Sequence, residues 1–444
     1  MTSEPAVQVP PRAVPRSAFV WTWLPGSSEP VVAGRLDRVG DEIRFQYGRT
    51  YRARADAIAL YLPELPLGAA PIAPAPGLAM AGAIRDGSPD AWGRRVILNR
   101  TFGGRRQDLD EARLDELTFL LESGSDRIGA LDFQQAADRY EPRGGGQASL
   151  EELIESAERV ERNIPLSPEL DQALQHGTAI GGARPKALIV DGETKHIAKF
   201  SSSTDIYSVV KGEFLAMRLA ALAGLAVAPV RLVEAAGKDV LLVERFDRTH
   251  AAGRWHRKAL VSALTILELD EMQARYASYE DLAEKIRLRF DEVPATLREL
   301  FGRMTFNVLV GNLDDHARNH AAFWDGNRLA LTPAYDICPQ PRTGEEASQA
   351  MLIRGRERMS QIRTCLAAAP QFHLDEATAI ATVARQVEII GENWLELCAQ
   401  ARLGEVDRKL FWGRQFLNRF AFYGLEGAAA PLAERAAYWR EHNA

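Results

Sequence analysis

Residues 18–58 carry short apolar runs rather than one long apolar face. The run 18–23 is strand-like, 31–36 follows a turn at Gly26-Ser27-Ser28, and 42–47 alternates polar with apolar residues. Such alternation puts every second side chain on one face, the signature of a half-buried strand. Three prolines make 68–77 a loop, and helical spacing returns over 90–100 and 110–122. Pro142-Arg143-Gly144-Gly145-Gly146 reads as a linker, so a boundary falls near residue 146.

Beyond that linker, Ser149 and Glu152 stand at the spacing of a capping box, where hydroxyl and carboxylate each satisfy a free N–H at a helix start. Apolar runs 187–190 and 196–200 flank Asp191-Gly192, a dipeptide suited to a tight hairpin turn. An amphipathic helix follows over 209–225, then a second hairpin, 229–234 with 239–244, around Ala236-Gly237. After Arg248 the pattern is almost wholly helical apart from 312–339. A glycine-containing turn, a hairpin, a helix and more strands thus precede a large helical half. The order predicts an α+β molecule with the two-lobed architecture of a protein kinase, its N-terminal part β-rich and its C-terminal lobe largely helical. The expected segments are a disordered lead-in over 1–16, an N-terminal subdomain over 17–146, a nucleotide-binding region over 147–248, and a helical lobe over 249–444.

Composition narrows this picture modestly. A formal net charge of -6 over 444 residues argues against a chain that grips a phosphate backbone with its whole surface. Arg94-Arg95 and Arg105-Arg106 leave room for a local basic patch. Cys338, Cys365 and Cys398 form no closely spaced pair, which fits a reducing cytoplasm better than a disulfide framework or a zinc ribbon. No run approaches the roughly 18 apolar residues of a membrane span. The first residues lack the apolar stretch of a signal peptide.

The densest chemistry lies in 311–320, Gly-Asn-Leu-Asp-Asp-His-Ala-Arg-Asn-His. Asp314 and Asn319 have the five-residue spacing of a kinase catalytic loop. There a carboxylate orients the substrate hydroxyl and accepts its proton, while a nearby amide oxygen holds Mg²⁺. His316 stands where a phosphate-facing lysine is usual. The same segment also reads as a polar turn between helices. Asp336, at the end of an apolar run, suits a second metal ligand or a turn-capping residue. On the nucleotide side, Gly181-Gly182-Ala183-Arg184-Pro185-Lys186 offers backbone N–H groups to phosphates, or forms a plain hairpin turn. Lys199 fits a strand lysine reaching the phosphates with Glu213 as its helix partner, or a lysine at a sheet edge. Glu244, Arg245 and Phe246 occupy the hinge position beside an adenine, or an ordinary strand exit. A different class, a zinc-dependent hydrolase, would use Asp314, Asp315, His316 and His320, if the histidines shared a helix face. A third class is a non-catalytic corepressor that acts by gripping a DNA-binding partner.

The motifs 181–186, 196–200, 243–248, 311–320 and 331–336 occur in the order seen in HipA-type toxin kinases, which the chain resembles. Gly34-Arg35-Leu36, Asp86-x-x-Pro89-Asp90-x-Trp92-Gly93-Arg94 and Arg127-Ile128-Gly129-Ala130-Leu131 resemble that family's N-terminal part. The resemblance covers about residues 18–340. It implies transfer of the γ-phosphate of ATP, with Mg²⁺, to Ser or Thr of a protein, an aminoacyl-tRNA synthetase in family precedent. It also implies neutralisation by a HipB-like helix-turn-helix antitoxin, with DNA met mainly through that partner. Asp314 is then the general base. Gly181, Gly182, Ala183, Arg184, Pro185, Lys186 and Lys199 hold phosphates, and Glu244, Arg245 and Phe246 hold adenine. His316, Arg318, Asn319, Tyr335 and Asp336 line the phosphate site, with Asn319 and Asp336 on the metal. Ala179 replaces the serine that family members often autophosphorylate, with Thr178 beside it.

Overall fold

The computed structural model describes residues 14–102, 114–144, 148–167, 170–171, 174, 182–202, 205–342 and 344–443. Gly181, Thr178, Ala179 and most of the lead-in therefore lie outside the described residues.

The N-terminal sheet is antiparallel in the order β3-β2-β1-β4. Its strands are β1 (Ser17–Thr22), β2 (Val31–Val39), β3 (Glu42–Tyr47) and β4 (Leu131–Gln134). In β3 the buried positions are Ile43, Phe45 and Tyr47, which is the alternation read from the sequence. Gly34 has no substitute here: a Cβ would lie 2.1 Å from the Gln46 carbonyl oxygen across the ladder. Helix α1 (Ala91–Phe102) and helix α2 (Glu116–Glu122) follow, the second capped by Asp115. The fourth strand, β4, was not expected from the sequence.

The second sheet, β5-β6-β8-β7, is formed by β5 (Lys186–Asp191), β6 (Thr194–Phe200), β7 (Val230–Ala235) and β8 (Lys238–Glu244). Its first turn is Gly192-Glu193, with Gly192 at φ +61, so pairing runs Asp191↔Thr194 back to Lys186↔Lys199. The tight turn thus sits one residue later than the sequence suggested. Helix α3 (Leu150–Glu161) starts in the expected capping box, with both of its hydrogen bonds made. Its Leu153, Ile154 and Ala157 pack with Trp92 of α1 and with Ala198 and Phe200 of β6 into a small second core. Helix α4 (Val209–Leu222) lies against β7 and β8.

The remainder is less uniformly helical than expected. Strands β9 (Arg248–Ala251), β10 (Arg254–Arg257) and β11 (Leu260–Ser262) follow β8 directly. β11 then pairs with β12 (Ala321–Trp324), and β12 with β13 (Leu329–Leu331). These runs are too short to show a period; β9 and β10 pair with each other as a hairpin, while the partner of β11 is supplied by chain some sixty residues away. Helices α5 (Tyr279–Arg289), α6 (Val293–Val310) and α7 (Glu376–Gln400) carry the large core, where Trp394 stacks on Trp412 with centroids 4.7 Å apart. The main core cluster runs from Ala18 to Ala436, so the N-terminal sheet and the helical part share it. Among the described residues no helix is long and apolar enough to cross a membrane.

Candidate active site

Alternation in β6 explains how a lysine comes to face a cleft. Ala198 and Phe200 point into the second core and are fully buried, so Lys199 between them must point to the opposite face. There its ammonium donates to Glu213 Oε1 on α4 and to Asp336 Oδ1, each at 2.5 Å. Burial opposes charge on Lys199, but Asp336 and then Glu213 more than offset it and raise its pKa. Glu213, only 3% exposed, is pushed up chiefly by burial. Burial would likewise raise Asp336, yet Lys199 first and Lys186 second hold that carboxyl below the usual aspartate range. Its side chain keeps 39% exposure because one side opens on the cleft while protein surrounds the rest.

Lys186 is the direct cross-strand partner of Lys199. Two like charges opposite one another on one face are unfavourable unless an anion lies between or beside them. Burial first and Lys199 second bring the Lys186 pKa down to about 8. Gly182, at φ +106, comes so near that a Cβ there would stand 2.1 Å from Lys186 Nζ. Pro185 is buried and its carbonyl accepts from Phe200 N–H; Arg184 pairs with Asp205 at 2.8 Å; Ala183 is exposed.

Helix α6 ends at Gly311, left-handed at φ +70, where a Cβ would meet the Gln415 carbonyl oxygen at 2.8 Å. The loop that follows is pinned by Asp315, which is buried and accepts from the Tyr279 hydroxyl and pairs with His320 Nε2 at 3.0 Å. With that side chain turned inward, its neighbour Asp314 is exposed to the cleft. Burial of its surroundings raises the Asp314 pKa; His316 pulls it down, and Asp336 and Asp315 push it further up. Asn319 Nδ2 donates to the Asp314 carbonyl at 3.1 Å, so its amide oxygen is turned away and takes no hydrogen bond among the described residues. The His316 Nδ1 atom is buried without a partner. Asp336 sits at φ +59, a left-handed backbone that is uncommon for a side chain other than glycine.

The structure therefore brings Asp314, His316, Asn319, Asp336, Lys199 and Lys186 close to one another. An amide oxygen and one carboxylate are too few to hold a cation alone, but as hard oxygen donors they would suit Mg²⁺ brought in with a nucleotide's phosphates. The histidines do not share a helix face. His316 and His320 flank a single turn of 3₁₀ helix, Ala317–Asn319, both with extended backbone, and His320 is spent on Asp315. Among the described residues no group of three His, Cys, Asp or Glu could hold a metal ion. The zinc-hydrolase alternative loses its geometry.

Other expected residues lie differently. Tyr335 donates to the Arg318 carbonyl at 2.7 Å and packs on Phe246, whose ring also meets Phe323 edge-on. Glu244 N–H is bonded to the Pro229 carbonyl. The Arg245 side chain is fully buried, which leaves only the backbone of this hinge for the expected adenine contact. It binds Asp247 through two nitrogens, Asp126 at 3.2 Å, and the carbonyls of Asp126 and Arg127. Arg318 turns to Glu271 and to Asp90 at 3.3 Å. Asp126, Asp247 and Asp90 drew no chemical role from the sequence. The signals were the charge density of Arg245-Phe246-Asp247-Arg248 directly after an apolar strand for Asp247, and the motif 86–94 for Asp90.

Comparison with known proteins gives the family of the chain. Residues 178–394 match the family model of the HipA-like C-terminal domain, and residues 28–134 match that of the HipA N-terminal domain. A protein of Sinorhizobium fredii, provisionally named a kinase, is 28% identical over 344 residues, covering 70% of this chain and 76% of that protein. The serine/threonine-protein kinase toxin HipA of Shewanella oneidensis is 29% identical over 158 residues, 32% of this chain and 36% of that one. A chain of the solved complex of HipA, HipB and operator DNA from Shewanella oneidensis superposes with a TM-score of 0.64 at 20% identity, covering 93% of this chain and 95% of its own. That last match carries the fold. With both family models matched in order along one polypeptide, the chain belongs to the HipA-type family, in which relatives are named as kinases.

Proposed function

We propose that this chain is an ATP-dependent serine/threonine protein kinase toxin. The observation that carries the reading is the Lys199 ammonium held between Glu213 and Asp336, beside the loop that presents Asp314 and Asn319. A strand lysine, a helix glutamate, a loop base and a metal-binding Asn/Asp pair are the parts that phosphoryl transfer needs. Asp314 orients the incoming hydroxyl and accepts its proton. Lys186 and Lys199 meet the phosphates, with the glycine turn 181–186 as backbone cradle. Mg²⁺, held by Asn319 and Asp336, would neutralise charge on the phosphates. Adenine lies against the strand exit at Glu244 and Phe246. Arg245 serves that wall through buried ion pairs, not by touching the base.

The substrate is a Ser or Thr of another protein, an aminoacyl-tRNA synthetase by family precedent. The solved relative in complex with HipB and operator DNA supports a HipB-like antitoxin as partner. On this reading DNA is met mainly through that partner, and the chain works in the cytoplasm. The N-terminal unit ends near residue 146 and the nucleotide-binding region near 248. The test is γ-phosphate transfer from ATP with wild type and Asp314→Ala, alongside phosphoproteomics after brief induction of each. Transfer by wild type and loss in the variant is the expected result; equal transfer by the two removes Asp314 as base. No ATP-dependent transfer by wild type to any cellular protein sinks the kinase reading.

A further inference from the structure

The N-terminal unit contributes to the nucleotide side of the cleft through residues with no assigned role. Asp90 immediately precedes α1. One carboxylate oxygen accepts from the Gly182 N–H at 2.6 Å, and the other pairs with Arg318 at 3.3 Å. Two residues on, Trp92 N–H donates to the Gly182 carbonyl at 3.2 Å and its indole N–H to the Lys186 carbonyl at 3.0 Å. Trp92 is fully buried among Val96, Ile154, Ala187 and Phe200, so its ring cannot swing away. The glycine turn is therefore gripped at both ends by three bonds from one short segment. A second carboxylate in the same stretch, Asp86, accepts from the Ser262 N–H and hydroxyl, each at 2.7 Å, and fixes the segment to β11.

The geometry points to Asp90 as a positioning residue that clasps the glycine turn to the catalytic loop. This rests on the kinase reading above for what the two loops do, but not for the clasp itself. A glycine at φ +106 is free to take many orientations, so something outside the turn must select one. Asp90 does so for the Gly182 N–H. Through Arg318 it also restrains the residue next to Asn319, whose carbonyl in turn holds the Tyr335 hydroxyl beside Asp336. One carboxylate thus sets the spacing between the phosphate cradle and the metal ligands.

Two variants separate the bonds. Asp90→Ala removes both; Asp90→Asn keeps an acceptor for Gly182 and loses the charge that holds Arg318. Measured with ATP and Mg²⁺, Asp90→Ala should weaken ATP affinity by roughly tenfold, the usual loss for a charge-assisted hydrogen bond. Asp90→Asn should keep ATP affinity near wild type while kcat falls. A merely structural residue would lower the melting temperature without splitting KM from kcat in this way. Hydrogen exchange of the peptide spanning 182–186, without nucleotide, reports the clasp directly and should quicken in Asp90→Ala. If that exchange is unchanged, or if both variants keep wild-type KM and kcat, the clasp is wrong. If exchange quickens but wild type binds no ATP, the clasp stands and the kinase reading falls.

Discussion

Two clusters of buried charge lie at opposite ends of the same sheet, and they are built to different rules. At the exit of β8, Asp126, Arg245, Asp247 and Arg248 are nearly or wholly buried, and each charge is answered. Lys195 adds a further pair to Asp126 at 2.5 Å, and the Gly129 N–H reaches Asp247 at 2.8 Å. In the cleft, Lys199, Glu213 and Asp336 form a similar triad, but it is left unfinished. Asp336 is partly open, the Asn319 amide oxygen has no protein partner among the described residues, and His316 Nδ1 is buried alone. A closed cluster fixes how two parts of the chain sit together. An open one has capacity reserved for something that arrives.

That contrast can be broken, and the largest effect should be on chemistry. Asp314→Ala should cost roughly 10²–10⁴-fold in phosphoryl transfer, the usual worth of a positioned proton acceptor, with the melting temperature little changed. A loss of folding in place of activity would move Asp314 into the closed class. Next is the closed cluster. Asp247→Ala leaves Arg245 and Arg248 buried and underpaired, and should destabilise by about 3–5 kcal/mol in urea unfolding. If stability is unchanged, that network is idle.

The two clusters also part with pH. Arg245 and Arg248 overcome burial and hold Asp247 down to about 2 from an ordinary 3.8. A depressed carboxyl stabilises fully above the unfolded value and loses that contribution as pH falls, here between about 4 and about 2. The amount is about 2 kcal/mol, read as a falling urea midpoint. Asp314 moves the other way. It must be ionised to accept a proton and its pKa is raised, so kcat should fall on acidification at a higher pH than for an ordinary aspartate. His316→Gln removes the group that pulls it down and should move that acid limb further up. A limb that stays put, or moves to lower pH, would detach His316 from the base. This is the smallest of the five effects.

Wherever pattern is local, the sequence was a good guide. The capping box at Ser149 and Glu152, the alternation in β3 and the α4 helix need only neighbours along the chain. The spacing of Asp314 and Asn319 was legible for the same reason. The hairpin carried almost enough information: with the turn placed at Gly192-Glu193, simple counting sets Lys186 opposite Lys199. The strands over 248–262 were not legible: β9 and β10 pair locally but are too short to show a period, and β11 exists only by pairing with β12. The buried ion pairs of Arg245 were not legible for a related reason. Charge after an apolar strand looks the same whether it faces a ligand or a buried counter-ion from elsewhere.

The sequence by itself determined the order of the parts, the residue types available for phosphoryl transfer, and the turns and caps that close over a few residues. The sequence also offered the Lys199–Glu213 pair, but only the tertiary structure decided which more distant charges meet. Asp336 stands 137 residues from Lys199 and Asp90 stands 92 from Gly182, and no periodicity reaches across such gaps. The cause is physical: a side chain's partner in a core is chosen by packing of distant elements, and burial then makes an unanswered charge too costly to leave by accident.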